Sequence, residues 1–138
     1  MSHEQIRVVS AKINLEDKLD TNLKNPVLSG LLLKRNKYYV KQQRRFELFM
    51  DGTINYYKNL ELRGTLFLIP GTKAIKIGRN ECTLRIPGAR KDYQLLGKDP
   101  EKYPLKNRLF SCNIDDWVSA INSVVQLLER GEKHKLKK

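Results

Sequence analysis

Short apolar segments separated by turn residues make up the middle of the chain, from Ser29 onward. Glycine tolerates the positive φ of a tight turn, so the pair Asp51 and Gly52 predicts a hairpin. Seven short strands in series, several with Gly or Pro between them, predict a mainly β fold, an antiparallel barrel or orthogonal sandwich. The predicted strands are Leu31–Leu33, Phe46–Met50, Thr53–Tyr57, Thr65–Ile69, Ala74–Ile77, Cys82–Ile86 and Arg108–Cys112, with Tyr93–Leu96 as an eighth candidate.

A helical period flanks this region on both sides. Leucine recurs at every fourth position from 15 to 23 and predicts a short N-terminal helix. Near the C-terminus, one stripe of a 3.6-residue helix carries Ile114, Trp117, Val118, Ile121, Val124, Val125 and Leu128. We expect Asn113 or Asp115 to cap its first turn and Gly131 to end it.

These patterns divide the chain into three parts. Residues 1–28 form an N-terminal extension that is partly helical, residues 29–131 form the β domain with its helix, and residues 132–138 form a basic tail. A length of 138 residues suits one domain that buries a core without disulfide or metal support. The expected core includes Phe46, Leu48, Leu66, Leu84 and Trp117.

The charge of the chain changes this picture, because its 27 Lys and Arg against 15 Asp and Glu give a net charge of +12. Such an excess implies an anionic partner, which could be phospholipid, nucleic acid or an acidic protein. Six cations fall between positions 34 and 45: Lys34, Arg35, Lys37, Lys41, Arg44 and Arg45. Their mutual repulsion is unfavourable in one hairpin unless an anion offsets it.

Candidates for catalysis, metal binding or a cofactor are lacking in the sequence, and we expect a protein that is not an enzyme. His3 and His134 stand alone, and no phosphate-loop motif occurs. Cys82 and Cys112 have no zinc-like spacing, so we expect reduced, buried thiols. No apolar run approaches the ~18 residues of a membrane span, and a signal-peptide core is missing. We therefore expect a cytoplasmic protein, peripheral on the cytosolic face of a membrane.

The residues around the basic run resemble the opening of the pleckstrin homology (PH) domain. That family begins with Gly-x-Leu-x-Lys, a variable loop and Arg-x-Phe-x-Leu, which are matched here by Gly30, Leu32, Lys34, Arg44, Phe46 and Leu48. The segment from Tyr56 to Lys58 resembles its third strand, Gly64 before Leu66 its fourth, and Trp117 its helix tryptophan. The resemblance covers about residues 29 to 128.

The resemblance implies a seven-stranded barrel that one C-terminal helix caps, with the loop between the first two strands at the opposite, open end. The implied headgroup-binding residues are Lys34, Arg35, Lys37, Lys41 and Arg44, with Tyr56 and Tyr57 as hydroxyl donors. Phosphate oxygens accept several charge-assisted hydrogen bonds at once, so a cluster of cations is the expected chemistry. Gln42 departs from the family, which usually has a basic residue there, and this favours a less stereospecific target.

The same loop contains Tyr38, Tyr39 and Val40 between two lysines. Tyrosine prefers the bilayer interface, so we expect this tripeptide to insert into the membrane. Each cation near an anionic leaflet contributes about 1 kcal/mol, and six give at most roughly four decades of partitioning before screening by salt.

Together these features predict a peripheral, non-catalytic membrane-targeting and signalling module that binds phosphatidic acid or a phosphoinositide through its basic β1–β2 loop. A weaker resemblance, to acylated PH proteins of apicomplexan parasites, implies phosphatidic acid recognition and a role in regulated secretion, although Ser2 replaces the glycine that acylation requires. One alternative is a protein-interaction domain that uses its N-terminal or C-terminal helix. The least favoured is a single-stranded nucleic-acid binder that stacks bases on its tyrosines. We expect a monomer.

Overall fold

Seven antiparallel strands in one curled sheet, followed by one helix, form the part of the protein that the computed structural model describes, residues 25–36, 38–98 and 110–136. The strands are β1 (Leu28–Arg35), β2 (Lys41–Leu48), β3 (Thr53–Lys58), β4 (Glu61–Phe67), β5 (Lys73–Ile77), β6 (Glu81–Arg85) and β7 (Tyr93–Leu96), and the helix is α1 (Ile114–Leu136). Their order in the sheet is β4-β3-β2-β1-β7-β6-β5. The predicted fold class is confirmed, while the predicted N-terminal helix lies outside the described residues.

Alternating side chains define the inner face of the sheet, because successive residues of a strand point to opposite sides. The buried side chains on this face include Leu28, Leu32, Phe46, Leu48, Ile54, Leu66, Leu84 and Leu95. The apolar stripe of α1 packs against them with Trp117, Ile121 and Val124 fully buried. The predicted core is therefore confirmed, and its burial is the main favourable term in folding.

Strands β1 and β2 are longer than the sequence pattern predicted. Strand β2 begins at Lys41 rather than at Phe46, and it pairs with β1 up to the pair Arg35 and Lys41. The connection between them shrinks to residues 36–40. Most of the basic run therefore lies in paired strands, where alternation decides which way each cation points.

The prediction of a strand at Arg108–Cys112 was wrong for its described residues, and the eighth candidate, Tyr93–Leu96, is β7. Phe110 makes only an isolated parallel bridge with Ser29, and residues 111 and 112 are irregular. The Ser111 carbonyl instead occupies the space above Gly30, where it accepts a hydrogen bond of 2.8 Å from Trp117 Nε1. A side chain at position 30 would block this approach, so glycine is required there.

Asn113 caps the helix as predicted, because its Oδ1 accepts a hydrogen bond of 2.7 Å from the Asp115 amide. The predicted stop at Gly131 was wrong, since α1 continues to Leu136. Glycine within a helix costs about 1 kcal/mol relative to alanine, which an amphipathic helix packed on a core can absorb.

Helix α1 also covers the free edge of β5. The Asn122 side chain accepts a hydrogen bond from the Ala74 amide and donates one to its carbonyl, both at 3.1 Å, as a neighbouring strand would. Next to it, Lys76 Nζ lies 2.7 Å from Asp115 Oδ1. The two Asn122 hydrogen bonds satisfy backbone groups at a sheet edge, where unpaired groups invite association.

Helix α1 covers one end of the curled sheet, and three connections between strands lie at the other end. Helix α1 covers the end that contains Gly30 and Gly52, beside which Leu128 lies. Strands β1 and β3 end at the other side, and β7 begins there, because its Leu95 pairs with Lys34 near the end of β1. We call this side the open rim; it carries the connections at residues 36–40, 59–60 and 86–92.

Candidate functional site

The cations of the basic run lie on two different faces of the sheet. Lys34 and Arg44 each lie two positions from a buried residue on the same strand, Leu32 and Phe46 respectively, so their side chains point to the inner face at the open rim. Arg35, Lys41 and Arg45 occupy the alternate positions and point to the outer face. Lys37 lies outside the described residues.

Two of the outer-face cations, Arg35 and Arg45, lie close to carboxylates. Arg35 Nε lies 3.6 Å from Glu81 Oε2. Arg45 Nη1 lies 2.6 Å from Glu47 Oε2, and its guanidinium carbon lies 4.5 Å from the centroid of the Tyr57 ring. The structure therefore does not bring Arg35, Lys41 or Tyr57 together with Lys34.

The inner face gathers a compact group at the open rim. Lys34 Nζ lies 5.2 Å from the centroid of the Tyr56 ring, which packs on Phe46 with ring centroids 5.5 Å apart. The pKa of Lys34 is lowered, first by burial and then by the positive charges of Lys91 and Arg44. Lys91 and Arg44 are therefore each near enough to Lys34 to repel its charge.

Tyr56 also belongs to this group. Burial raises the pKa of its hydroxyl, the nearby Tyr93 raises it further, and the charge of Arg44 partly opposes the rise. The hydroxyl is therefore protonated at neutral pH and can donate a hydrogen bond to an anion. We call the group the rim cluster; its members are Lys34, Arg44, Tyr56, Lys91 and Tyr93.

The cations of the rim cluster have no acidic partner in the described part of the chain. Within the described residues, Lys34, Arg44 and Lys91 make no ion pair with a carboxylate, whereas Arg85, close to Lys91 in sequence, pairs with Asp92 at 3.2 Å. Arg44 Nη1 donates to the Gln43 carbonyl at 2.8 Å, which helps to hold the side chain in place. Three like charges that share one mouth favour an incoming anion.

Sequence reasoning missed Lys91 and Tyr93. Had Tyr93–Leu96 been preferred as the seventh strand, alternation would have placed Tyr93 on the inner face with the buried Leu95. Lys91 carries no such local signal. Only the pairing of β7 beside β1 brings its loop to the rim.

The β1–β2 connection presents apolar side chains beyond the rim. Asn36 organises it, because its Oδ1 accepts hydrogen bonds from the Tyr38 amide at 2.8 Å and the Val40 amide at 3.0 Å. Its carbonyl accepts from the Tyr39 amide at 2.9 Å, and Tyr39 adopts a φ of 63°. Tyr38, Tyr39 and Val40 are 71, 77 and 55% exposed.

Metal ligation and thiol chemistry find little support in the described part of the chain. It contains no group of three or more His, Cys, Asp and Glu placed to hold a metal ion. Cys82 and Cys112 are buried and unpaired as thiols, and burial raises the pKa of Cys82 to about 12. Among the described residues, no helix is both long enough and apolar enough to cross a bilayer.

Comparison with known proteins identifies the fold. No family model matches the sequence, and no curated protein is significantly similar to it. Among solved structures, the C-terminal PH domain of pleckstrin in complex with D-myo-Ins(1,2,3,4,5)P5 is similar, at 20% identity and a TM-score of 0.53 over 70% of this chain and 94% of that chain. A second structure of the same domain gives 19% identity and 0.54 over the same shares.

The linker-DH/PH domains of p115-RhoGEF are also similar, at 13% identity and a TM-score of 0.55. That match covers 89% of this chain and 42% of the longer one. The protein therefore has the PH fold, as the residues of its first two strands indicated.

Proposed function

We propose that the protein is a non-catalytic peripheral membrane module, on the cytosolic face of a membrane, whose rim cluster binds the phosphate of an anionic phospholipid. The observation that carries this proposal is the placement of Lys34 and Arg44 on the inner face at the open rim, with Lys91 close enough for its charge to lower the pKa of Lys34. Within the described residues, none of the three makes an ion pair with a carboxylate. The pleckstrin PH domain, which has the same fold, was solved with an inositol pentaphosphate, and this adds support.

Four members of the cluster have distinct roles in this proposal. The Arg44 guanidinium and the Lys34 ammonium donate charge-assisted hydrogen bonds to phosphate oxygens. The Tyr56 hydroxyl donates a further one, while Lys91 adds positive charge from the β6–β7 connection. Arg35, Lys37 and Lys41 contribute long-range attraction to the anionic surface, worth about 1 kcal/mol for each cation. Tyr57, next to Glu47 on the outer face, is not needed as a donor.

The residue at position 42 favours a small headgroup. Gln42 pairs with Lys34 and occupies the inner face of β2, where a cation would enlarge the site. A neutral amide there leaves three cations, which suit one accessible phosphate monoester better than a highly phosphorylated inositol. Of the two predicted lipids, phosphatidic acid is therefore favoured over a phosphoinositide.

The exposed tripeptide of the β1–β2 connection supplies an apolar contribution. Tyr38, Tyr39 and Val40 stand beyond the cationic mouth and enter the interface when the mouth meets a phosphate. Cation attraction by itself is weakened by salt, whereas apolar insertion is not screened, so the two together give reversible but stable docking.

Vesicle co-sedimentation tests the headgroup site. Vesicles containing phosphatidylserine, phosphatidic acid or single phosphoinositides are matched in surface charge, and Arg44→Ala is compared with Arg45→Ala. These neighbours carry the same charge but lie on opposite faces. We expect Arg44→Ala to lose roughly ten- to a hundredfold in affinity, as for a hydrogen-bonded charge. Arg45→Ala should lose about fivefold or less.

Equal losses in the two arginine variants, or equal binding of the wild type to all vesicles of matched charge, would reject a headgroup site. Loss of binding in Lys91→Ala, a residue of the distant β6–β7 connection, would add independent support for the assembled cluster. The role in regulated secretion rests on the resemblance alone and stays a prediction.

The nucleic-acid alternative is less favoured because two of its four tyrosines are engaged. The Tyr56 ring packs between Phe46 and Gly64, and the Tyr57 ring lies under Arg45. Neither ring offers an open face on which a base could stack. Filter binding of single-stranded oligonucleotides at rising salt tests this point, and we expect no retention at physiological salt.

A further inference from the structure

The open rim carries a second exposed apolar feature, at the turn between β3 and β4. Leu60 is 92% exposed and Leu62 is 53% exposed. Scattered apolar side chains on a surface need no explanation, but two large ones at one hairpin tip, beside a cationic mouth, do. Water contact with both is unfavourable unless another surface covers them.

The strand register places this turn beside the β1–β2 connection. Strand β2 starts at Lys41 and β3 ends at Lys58, and the two strands are paired through Arg45 and Tyr57. The beginning of β2 and the end of β3 therefore reach the same side of the sheet. Tyr39 and Leu60 therefore lie in two neighbouring hairpin connections on the open rim.

A β-bulge turns Leu62 outward. Tyr56 pairs with Gly64, but Tyr57 pairs with Leu62, so Arg63 is the extra residue on β4. In a regular strand Leu62 would point to the inner face, like Gly64 and Leu66. The bulge instead places it beside Tyr57 on the outer face. Asn59, with a φ of 57°, then closes the turn and leaves Leu60 at its tip.

We propose that Leu60 and Leu62 form a second membrane-inserting tip, which enters the same anionic bilayer as the β1–β2 connection; this inference rests on the proposed function. A bilayer fits this place because it can present phosphates to Lys34, Arg44 and Lys91 and acyl chains to the two apolar tips on the same rim. Two separate insertions fix the tilt of the domain on the membrane, which one loop would leave free to rotate.

Partitioning of full-length variants into phosphatidylcholine vesicles that contain phosphatidic acid tests the contribution of the turn. Leu60→Ser is compared with Phe67→Ser, because Phe67 is 65% exposed and ends β4, the strand that follows Leu60, on the side of the sheet away from the rim. We expect Leu60→Ser to weaken partitioning about tenfold, the scale of losing much of one buried leucine, and Phe67→Ser to leave it unchanged. The loss should be equal at low and high salt, since apolar burial is not screened. Equal partitioning of the two variants overturns the proposal.

Insertion depth provides a second, direct readout. Since Cys82 and Cys112 are buried, a Leu60→Cys or Phe67→Cys variant can be labelled with a fluorophore at the new thiol. Lipids brominated in their acyl chains should quench the label at position 60 and not at position 67. If labelled protein binds anionic vesicles and position 60 remains unquenched, the inserted tip is rejected while the headgroup site stands. If the wild type binds no anionic vesicle, both proposals fail.

Discussion

The phenol ring of Tyr56 occupies the space that a side chain at Gly64 would need. The two residues pair directly across β3 and β4, so the absence of a side chain at Gly64 leaves room for the Tyr56 ring. Tyr56 is held between Gly64, Phe46 and the ammonium of Lys34. The position of the proposed hydroxyl donor thus depends on the absence of a side chain at Gly64.

Substitution Gly64→Ala should therefore destabilise the protein, although alanine normally improves a strand. The new methyl group overlaps the Tyr56 ring, and forced repacking of this kind costs about 1–3 kcal/mol. Urea unfolding measures the change. In a Tyr56→Ala background the same substitution should be neutral or stabilising, because the overlap has been removed. Equal destabilisation in both backgrounds would show that the ring is not responsible.

Two other glycines should respond to alanine in opposite directions. A Cβ at Gly30 would overlap the Ser111 carbonyl that Trp117 uses, so Gly30→Ala should lose at least about 2 kcal/mol of stability. A Cβ at Gly131 meets nothing within 4 Å, so Gly131→Ala should stabilise α1 by up to about 1 kcal/mol. Thermal unfolding of both variants checks the pair. Similar effects in the two would contradict the close approach at Gly30.

The pKa of Lys34 should respond to its neighbours. Burial, Lys91 and Arg44 lower it from 10.5, so Lys91→Ala should raise the pKa of Lys34, and a bound phosphate should raise it as well. Titration of the Lys34 side chain by NMR measures both changes. Arg45→Ala, on the outer face, serves as the control and should shift the value less.

The same lowered pKa makes the charge of Lys34 a cost to folding. The unfolded chain binds more protons between the lowered pKa and 10.5, so this group's contribution to stability improves as the pH rises through that window. At neutral pH, Lys34→Met should stabilise the protein, by less than about 1 kcal/mol since solvent screens a partly exposed charge. The advantage should shrink as the pH approaches 10.5, and an advantage independent of pH would argue against this origin.

The two cysteines should be inert in the folded protein. Burial raises the pKa of Cys82 to about 12, and thiolate is the reactive form, so a disulfide reagent should react negligibly at pH 8. Both thiols should react in denaturant. Reaction of the native protein at the rate of a free thiol would contradict this burial and would also preclude labelling at position 60.

Local periodicity sufficed for much of the fold. Alternation identified Phe46, Leu48, Leu66 and Leu84 as core, and the helical stripe identified the buried face that contains Trp117. These inferences hold because burial on one face leaves a period in the sequence that does not depend on what covers that face. The ends of these strands were harder to predict from the sequence. The end of β1 and the start of β2 carry cations on both faces, so they show no alternation of apolar and polar residues.

The sequence by itself determined that a small β domain with a helix would form and that cations would gather near the first hairpin. Only the tertiary structure decided which cations share a mouth. Alternation points Arg44 inward and Arg45 outward. The pairing of β7 with β1 brings Lys91 near Lys34, although more than half of the domain's sequence separates them. The physical reason is that side-chain direction follows from local pairing, whereas contact between distant loops depends on the order of strands in the sheet, which no local pattern encodes.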